Sequence, residues 1–138
     1  MGKISRRVAI AAGVSFVAVA VLYAVAWQQS ESALAQTFVV KDPPLVFAGD
    51  DAEAARGAHL YGVLGCVECH GATAEGKPVF DAGPVGRVVG SNLTPAALGA
   101  RYDADTMAAA IRHGVGPGGK PLRFMPADDF KNLSDADT

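Results

Sequence analysis

The sequence predicts an all-α protein in which one long N-terminal helix is followed by a small helical domain. Three observations lead to this fold class. Residues 8–27 carry no charged side chain over a length suited to a single helix. Residues 50–64 and 103–113 have the patterns and the end signals of shorter helices. The segment between these two helices is rich in Gly and Pro and has no strand-rich pattern, so it is predicted to be irregular.

The N-terminal segment has the features of a membrane anchor. The residues before Val8 include three basic side chains and no acidic one, and the uncharged run from Val8 to Trp27 is 20 residues long. A helix of about 20 apolar residues can cross a bilayer, with its basic flank on the cytoplasmic side. Residues 1–27 are therefore predicted to be a membrane anchor or uncleaved signal, and the rest of the chain to be exported.

A cleaved signal peptide is the alternative interpretation. Ala33-Leu34-Ala35 before Gln36 fits a signal-peptidase site, although it lies beyond the apolar run. On either interpretation the domain leaves the cytoplasm, and we expect it in the periplasm at a bacterial inner membrane. Residues 28–49 contain Pro43-Pro44 and have no helix or strand period, which predicts a flexible linker. The folded domain is then expected to span residues 50–138.

The motif with the strongest chemical meaning is Cys66-Val67-Glu68-Cys69-His70, the CxxCH sequence of covalent haem attachment. Two thiols on one helical turn can each bond to a vinyl group of the same porphyrin, and the imidazole that follows can bind its iron. We predict one covalent haem c held by Cys66 and Cys69, with His70 as an axial ligand. The chain has no further Cys to complete a four-ligand structural zinc site, and a redox-active disulfide is expected in a strand-rich context that is missing here.

The domain that would surround this haem is small. Residues 50–138 number fewer than 90, and a core of that size is marginal by itself, so a buried macrocycle would supply the missing apolar bulk. The first helix of the domain is expected at residues 50–64, where Asp50, Asp51 and Glu53 complement the helix dipole.

A second iron ligand is predicted in the C-terminal part of the chain. The helix expected at residues 103–113 is followed by a Gly-rich loop and then by Met125 and a proline. The Met125 thioether is the soft ligand that would complete an electron-transfer iron site together with His70. Met107 and His113 are minor candidates for the same position.

Taken together, these features resemble the class I c-type cytochromes over residues 50–138. In that family a small residue and an aromatic residue four positions later precede the CxxCH motif, as Gly57 and Tyr61 do here. The family also presents its methionine ligand on a loop, often as Met-Pro, which matches Met125. The resemblance implies a small cytochrome c fold around the haem.

The resemblance has two further implications. It assigns to the carbonyl of Pro84 the hydrogen bond that orients the ligand imidazole of His70 and raises its basicity, with Pro78 as the other candidate. It also implies a final helix that packs against the first helix of the domain and begins here at Ser134. Because the chain stops at Thr138, we expect this C-terminal helix to be truncated; the alternative is that another chain covers the exposed first helix.

A longer set of residues is similar to the cytochrome c subunits of membrane-bound alcohol and gluconate dehydrogenases. Those proteins carry several haem motifs, whereas this chain has one, so the better implication is a single-haem carrier tethered to the membrane. The set comprises Asn92-Leu93-Thr94-Pro95, Gly99, Ile111-Arg112-His113-Gly114-Val115, Met125-Pro126 and Leu133-Ser134-Asp135.

The resulting functional hypothesis is one-electron transfer in a periplasmic respiratory or dehydrogenase-linked chain. With His70 and Met125 both on the iron, no position stays open for oxygen or peroxide, so the protein is expected to be an electron carrier and not an enzyme. Its expected partners are a redox protein donor and acceptor, such as a membrane dehydrogenase or oxidase, and the membrane itself. No nucleic-acid partner is expected. The alternative is a haem enzyme or gas-sensing domain with an open sixth site, in which Met125 only packs.

Overall fold

A computed structural model describes residues 2–46 and 49–138, and the chain divides into two units, residues 1–37 and 38–138. The described part of the first unit is one helix, α1 (Lys3–Ala35), which is long and apolar enough to cross a membrane. A membrane anchor and a signal sequence share these properties. Helix α1 continues past the expected anchor because residues 28–35 contain no Gly or Pro that would end a helix.

The described residues of the second unit are mostly helical, but they also include short strands. The elements in chain order are α2 (Asp51–Val63), α3 (Cys66–His70), β1 (Pro78–Asp81), β2 (Arg87–Val89), α4 (Pro95–Leu98), α5 (Ala104–His113), β3 (Val115–Gly116), β4 (Lys120–Pro121) and α6 (Ala127–Phe130). Strand β1 pairs with β2 and strand β3 with β4, both antiparallel. The expectation of an all-α architecture is therefore confirmed only in part. Most of the described residues are helical, but two short strand pairs are present as well.

Helix α2 forms where the sequence predicts it. Asp50 is the N-cap, and its carboxylate accepts a hydrogen bond from the Glu53 N–H (2.9 Å), while the Glu53 carboxylate accepts one from the Gly49 N–H (2.7 Å). These bonds satisfy main-chain donors at the start of the helix, and the acidic side chains complement its dipole. After the helix, Gly65 has a φ of +80°, which turns the chain into α3.

The Gly- and Pro-rich segment after α3 is more regular than expected. Strands β1 and β2 form a hairpin in which Phe80 lies opposite Val88 and Asp81 lies opposite Arg87. Val and Phe side chains favour extended backbone, and the Gly and Pro residues between the strands lie in the turn at residues 83–86. The prediction of irregular structure is wrong here, because the overall Gly and Pro content conceals the strand-forming residues on both sides of the turn.

The buried residues of the second unit cluster around α5 and β3. Asp103 caps α5 by accepting a hydrogen bond from an N–H of its first turn (2.8 Å), and Gly114 ends the helix with a φ of +62°, as expected. Ala108, Ala110 and Val115 are 5%, 4% and 8% exposed and are the buried apolar residues of the described chain. All three side chains are small, so this core contributes little apolar area.

Residues Phe38–Val46 form an extended segment, here called the strap, that is held against the second unit. Near its start, the Phe38 N–H donates a hydrogen bond to the carbonyl of Gly119 (2.8 Å). Near its end, the Leu45 N–H donates to the carboxylate of Asp105 at the start of α5 (2.8 Å). The strap is therefore tied at both ends through its main chain.

The structure divides residues 28–49 differently from the single flexible linker that the sequence predicts. Residues 28–35 belong to α1, the strap belongs to the second unit, and residues 47 and 48 lie outside the described residues. The strap has no hydrophobic period because its order comes from main-chain hydrogen bonds to other elements. Such bonds leave no pattern in the sequence.

Arg112, near the C-terminal end of α5, connects the strap to the end of the chain. Its side chain is 9% exposed, and its guanidinium donates hydrogen bonds to the Asp135 carboxylate (2.7 Å) and the Thr138 hydroxyl (2.8 Å). It also lies 3.8 Å from the carboxylate of Asp42, which accepts a hydrogen bond from the imidazole of His113 (2.6 Å). These acceptors matter because a buried guanidinium without partners costs several kcal/mol.

The last residues of the chain form one turn of 3-10 helix, Asp135–Asp137, where a helix start was expected. The Ser134 hydroxyl donates to the Asp137 carboxylate (2.7 Å), which also accepts a hydrogen bond from Arg56 on α2. The Ser134 hydrogen bond, followed by that of Arg56, holds the pKa of Asp137 below its usual value. The turn is thereby linked to α2 through a charged contact.

We expect Arg112→Ala to lower the free energy of unfolding by about 2 kcal/mol, because the substitution removes charge-assisted hydrogen bonds from a buried group and leaves a cavity. Urea denaturation of the haem-loaded protein measures this change. The matched control is Arg101→Ala, since Arg101 is exposed and contacts only the nearby carbonyl of Ala97 (3.2 Å) among its hydrogen bonds within the described chain. Equal losses in the two variants would show that the Arg112 contacts do not stabilise the fold.

Asp137→Asn should make folding less sensitive to acid. The folded state lowers the pKa of Asp137, so its stabilising effect is complete above the pKa of the unfolded chain and is lost as the pH falls through the folded pKa. An asparagine has no such titration. Between about pH 5 and about pH 3, the free energy of unfolding should therefore fall less in the variant than in the wild type. Parallel pH profiles would contradict this expectation.

Candidate functional site

The two cysteines and the histidine of the CxxCH motif lie on one turn of helix. Helix α3 spans Cys66–His70, so Cys66, Cys69 and His70 occupy positions i, i+3 and i+4 and share a face. Gly65 and Gly71 bracket the helix with φ values of +80° and +83°, which let the chain reverse on both sides of so short an element. The structure thus brings together three of the predicted haem-binding residues.

The thiols of α3 are free and half-buried. Burial raises the pKa of the Cys66 thiol, and the neighbouring charge of Cys69 raises it further, while a main-chain hydrogen bond acts in the opposite direction. A thiol can add across a vinyl double bond, with the sulfur bonding to one carbon and the hydrogen to the other. This attachment needs no oxidant, in contrast to a disulfide.

The imidazole of His70 is oriented by a main-chain carbonyl. Its Nδ1 lies 2.8 Å from the carbonyl oxygen of Ser91, a distance at which Nδ1–H donates a hydrogen bond. The bond fixes the tautomer and leaves the Nε2 lone pair available to a metal.

The structure corrects the assignment of Pro84 as the acceptor for His70. Pro84 lies in the 3-10 turn Gly83–Val85, at the tip of the hairpin formed by β1 and β2. The chain leaves α3, runs out along β1 and returns along β2, so it reaches the imidazole only at Ser91. The resemblance assigns the acceptor to Pro84 because the family has a Gly-Pro pair at this point. In this structure Gly83 and Pro84 lie in the turn of the hairpin, and the acceptor of the His70 hydrogen bond is Ser91.

Ser91 is positioned by its neighbour Gly90, whose main chain packs closely against the main chain of α3. A Cβ atom on Gly90 would overlap the carbonyl of Cys69, so only a glycine allows the segment directly after β2 to lie against α3. The Gly90 N–H donates to the carbonyl of Lys77 (2.9 Å), and the Gly76 N–H donates to the carbonyl of His70 (2.6 Å). Sequence reasoning missed this acceptor, and the only signal for it was a glycine directly after a strand.

Tyr61 on α2 also contacts the main chain directly after the motif. Its hydroxyl donates a hydrogen bond to the carbonyl of Gly71 (2.7 Å), which follows His70 in the chain. Burial raises the pKa of the Tyr61 hydroxyl, and the charges of Cys66 and Glu75 add to the effect, so the hydroxyl keeps its proton and acts as a donor. The bond therefore ties α2 to the C-terminal end of α3.

Met125 lies on the loop between β4 and α6 and is half-buried. It lines a groove of about 440 Å³ together with Phe38, His113 and Leu122. The described residues that line this groove do not include those of the CxxCH turn, so the role of Met125 as an iron ligand stays a prediction. The competing candidate His113 is already engaged by the carboxylate of Asp42 (2.6 Å).

The residues of α3 fit a covalently bound haem. Two thiols and an imidazole point to one face of a single turn, the imidazole has its Nδ1–H committed to a carbonyl, and its Nε2 remains available. This is the donor set that the motif requires for two thioether bonds and one axial ligand.

We expect Gly90→Ala to reduce covalent haem attachment severalfold. The added methyl group would displace the segment after β2, which presents the Ser91 carbonyl to His70. Intact mass spectrometry of protein from a host competent in cytochrome maturation gives the haem-loaded fraction. The matched control is Gly62→Ala on α2, where a Cβ meets nothing within 4 Å. Full loading of the Gly90 variant would show that this close approach does not position the ligand.

A known protein family matches the part of the chain that contains this site. The family model described as Cytochrome c matches residues 54–138, which is more than half of the chain. Comparisons with curated proteins and with solved structures gave no significant match. The chain therefore belongs to the cytochrome c family, which implies a covalently bound haem c and haem-based electron transfer.

Proposed function

We propose that this protein is a class I cytochrome with a single haem and a membrane anchor, which carries one electron at a time between a periplasmic redox donor and acceptor. The observation that carries the proposal is the geometry of α3. Cys66, Cys69 and His70 share one face, and the Ser91 carbonyl holds the imidazole with Nε2 free. When bound, the haem supplies an iron that exchanges one electron.

The chain's own residues have two tasks in this function. His70 must keep the same position in both oxidation states, and its hydrogen bond to the Ser91 carbonyl restricts rotation of the ring. Tyr61 and Gly90 both contact the C-terminal end of this helix, through the Gly71 carbonyl and the Cys69 carbonyl. A ligand held in this way moves little when the charge on the metal changes, which favours fast electron exchange.

Met125 is the proposed second axial ligand. It is half-buried on a loop that follows a strand pair, and its own carbonyl accepts a hydrogen bond from the Ala127 N–H (2.9 Å), so the loop has a defined shape. A thioether ligand raises the reduction potential, and two axial ligands leave no open position for oxygen chemistry.

The proposed location is a bacterial inner membrane, with the haem domain in the periplasm. Helix α1 is long and apolar enough for an anchor, and the basic residues before Val8 favour a cytoplasmic N-terminus. The proposed partners are a redox protein donor and acceptor, with a membrane dehydrogenase or oxidase as the expected class. The class is suggested by the resemblance of several sequence segments to the cytochrome subunits of alcohol and gluconate dehydrogenases.

A haem enzyme or gas-sensing domain with an open sixth site is the second candidate. One observation favours it, namely that the groove lined by Met125 does not include the residues of α3. In that function Met125 would pack against its neighbours and leave the second axial position to a small ligand.

Met125→Ala distinguishes these functions. We expect the wild type to show a low-spin spectrum with the methionine-to-iron charge-transfer band. The variant should lose this band, and its reduction potential should fall by about 100 mV or more, because axial ligands tune potentials over a range of about 0.8 V. The matched control is Met107→Ala on α5, which should keep the band. An unchanged spectrum in the Met125 variant would support the open-site candidate.

A further inference from the structure

We propose that the strap, residues Phe38–Val46, is a positioning element for the loop that carries Met125. The inference rests on the proposed role of Met125 as an iron ligand and adds to it a segment that precedes the domain matched by the cytochrome c family. By this inference, release of the strap changes the bond between the methionine and the iron while the covalent haem stays in place.

The first step is the contact between the strap and a turn. The turn Pro117–Gly119 connects β3 to β4, and its Gly119 accepts a hydrogen bond from the Phe38 N–H (2.8 Å). A Cβ on Gly119 would lie 2.5 Å from the Phe38 carbonyl oxygen, closer than real side chains approach. The strap therefore lies directly on the main chain of this turn.

The second step leads from the turn to Met125. Strands β3 and β4 pair on both sides of the turn, and the Leu122 N–H donates to the carbonyl of Gly114 (2.6 Å). Only two residues separate Leu122 from Met125. A displacement of the turn is therefore passed through a short, hydrogen-bonded strand pair to the ligand loop.

The third step concerns the groove that Met125 lines. Phe38 of the strap lines the groove that is also lined by Met125 and by His113. Phe38 thus borders the same space as the thioether side chain. Loss of the strap would expose Met125 to water, which competes for iron and lowers the potential.

The strap is secured in the middle by charge. The Asp42 carboxylate accepts a hydrogen bond from His113 (2.6 Å) and lies 3.8 Å from the guanidinium of Arg112. Arg112 keeps Asp135 and Thr138 as acceptors if Asp42 is removed. Substitution of Asp42 therefore weakens the strap without leaving a buried charge unpaired.

The test uses the full, haem-loaded chain extracted from the membrane and compares three variants. Gly119→Ala introduces the overlap with Phe38, and Gly118→Ala is its matched control. The two glycines have similar φ values of +73° and +68°, but a Cβ on Gly118 meets nothing within 4 Å. Asp42→Ala removes the contacts of the strap with His113 and Arg112 and alters no residue of the turn.

Three quantities are measured in each variant. Tryptic cleavage after Lys41, followed by mass spectrometry, reports release of the strap. Each rate is divided by that of a free peptide with the same sequence, because Asp42→Ala changes the residue directly after the cleaved bond. The methionine-to-iron band and the reduction potential report the ligand bond. We expect Gly119→Ala and Asp42→Ala to raise the cleavage rate by about tenfold, as the loss of one charge-assisted or main-chain anchor would, and to weaken the band and lower the potential. Gly118→Ala carries the same cost of a positive φ without the overlap, so it should change all three readouts much less than Gly119→Ala does.

Three results would overturn the proposal. The cleavage rate could rise while the band and the potential stay unchanged, which would make the strap a purely structural attachment. The cleavage rate could stay at the wild-type level in both strap variants, which would show that these contacts do not hold the strap. The wild type could lack the band altogether, and this last result, unlike the first two, would also refute Met125 as the iron ligand of the proposed function.

Discussion

The hydrogen bond between the His70 imidazole and the Ser91 carbonyl is the constraint on which the site depends. It joins residues 21 positions apart in the chain, so several other features must be in place before it can form. The helix α3 must start and stop within a few residues, the hairpin of β1 and β2 must return the chain, and Gly90 must lie against Cys69 without a side chain. Loss of any one of them would free the ring to rotate and to present either nitrogen.

The second unit depends on polar contacts because its apolar core is small. The buried apolar side chains of the described residues are Ala108, Ala110 and Val115, which bury little area compared with Leu or Phe. Arg112 lies beside them and brings together the strap, α5 and the last turn of the chain. Directional bonds of this kind fix an arrangement even where they add little net free energy. In a family that binds haem c covalently, the macrocycle adds the apolar contacts that the chain lacks.

Electron transfer requires ligands that stay in place while the charge on the metal changes. The protein meets this requirement for His70 with main-chain groups, since the acceptor is the Ser91 carbonyl and the neighbouring Gly90 packs against the Cys69 carbonyl. The Met125 loop is held by different means, through a short strand pair and, in the proposed arrangement, through the strap. The two sides of the site therefore differ in how strongly local structure fixes them. The histidine side is set within residues 61–91, and the methionine side draws on a segment far earlier in the chain.

The sequence by itself determined what depends on neighbouring residues. The haem-attachment motif needs only the i, i+3 and i+4 spacing of Cys66, Cys69 and His70, and helices α2 and α5 follow from local capping residues and glycine stops. Tertiary structure alone decided which carbonyl meets His70, where the strap lies and which acceptors surround Arg112. These contacts join residues distant in sequence and use main-chain groups that every residue carries. A group that is the same at every position leaves no mark in the order of side chains, and only the path of the folded chain brings it to its partner.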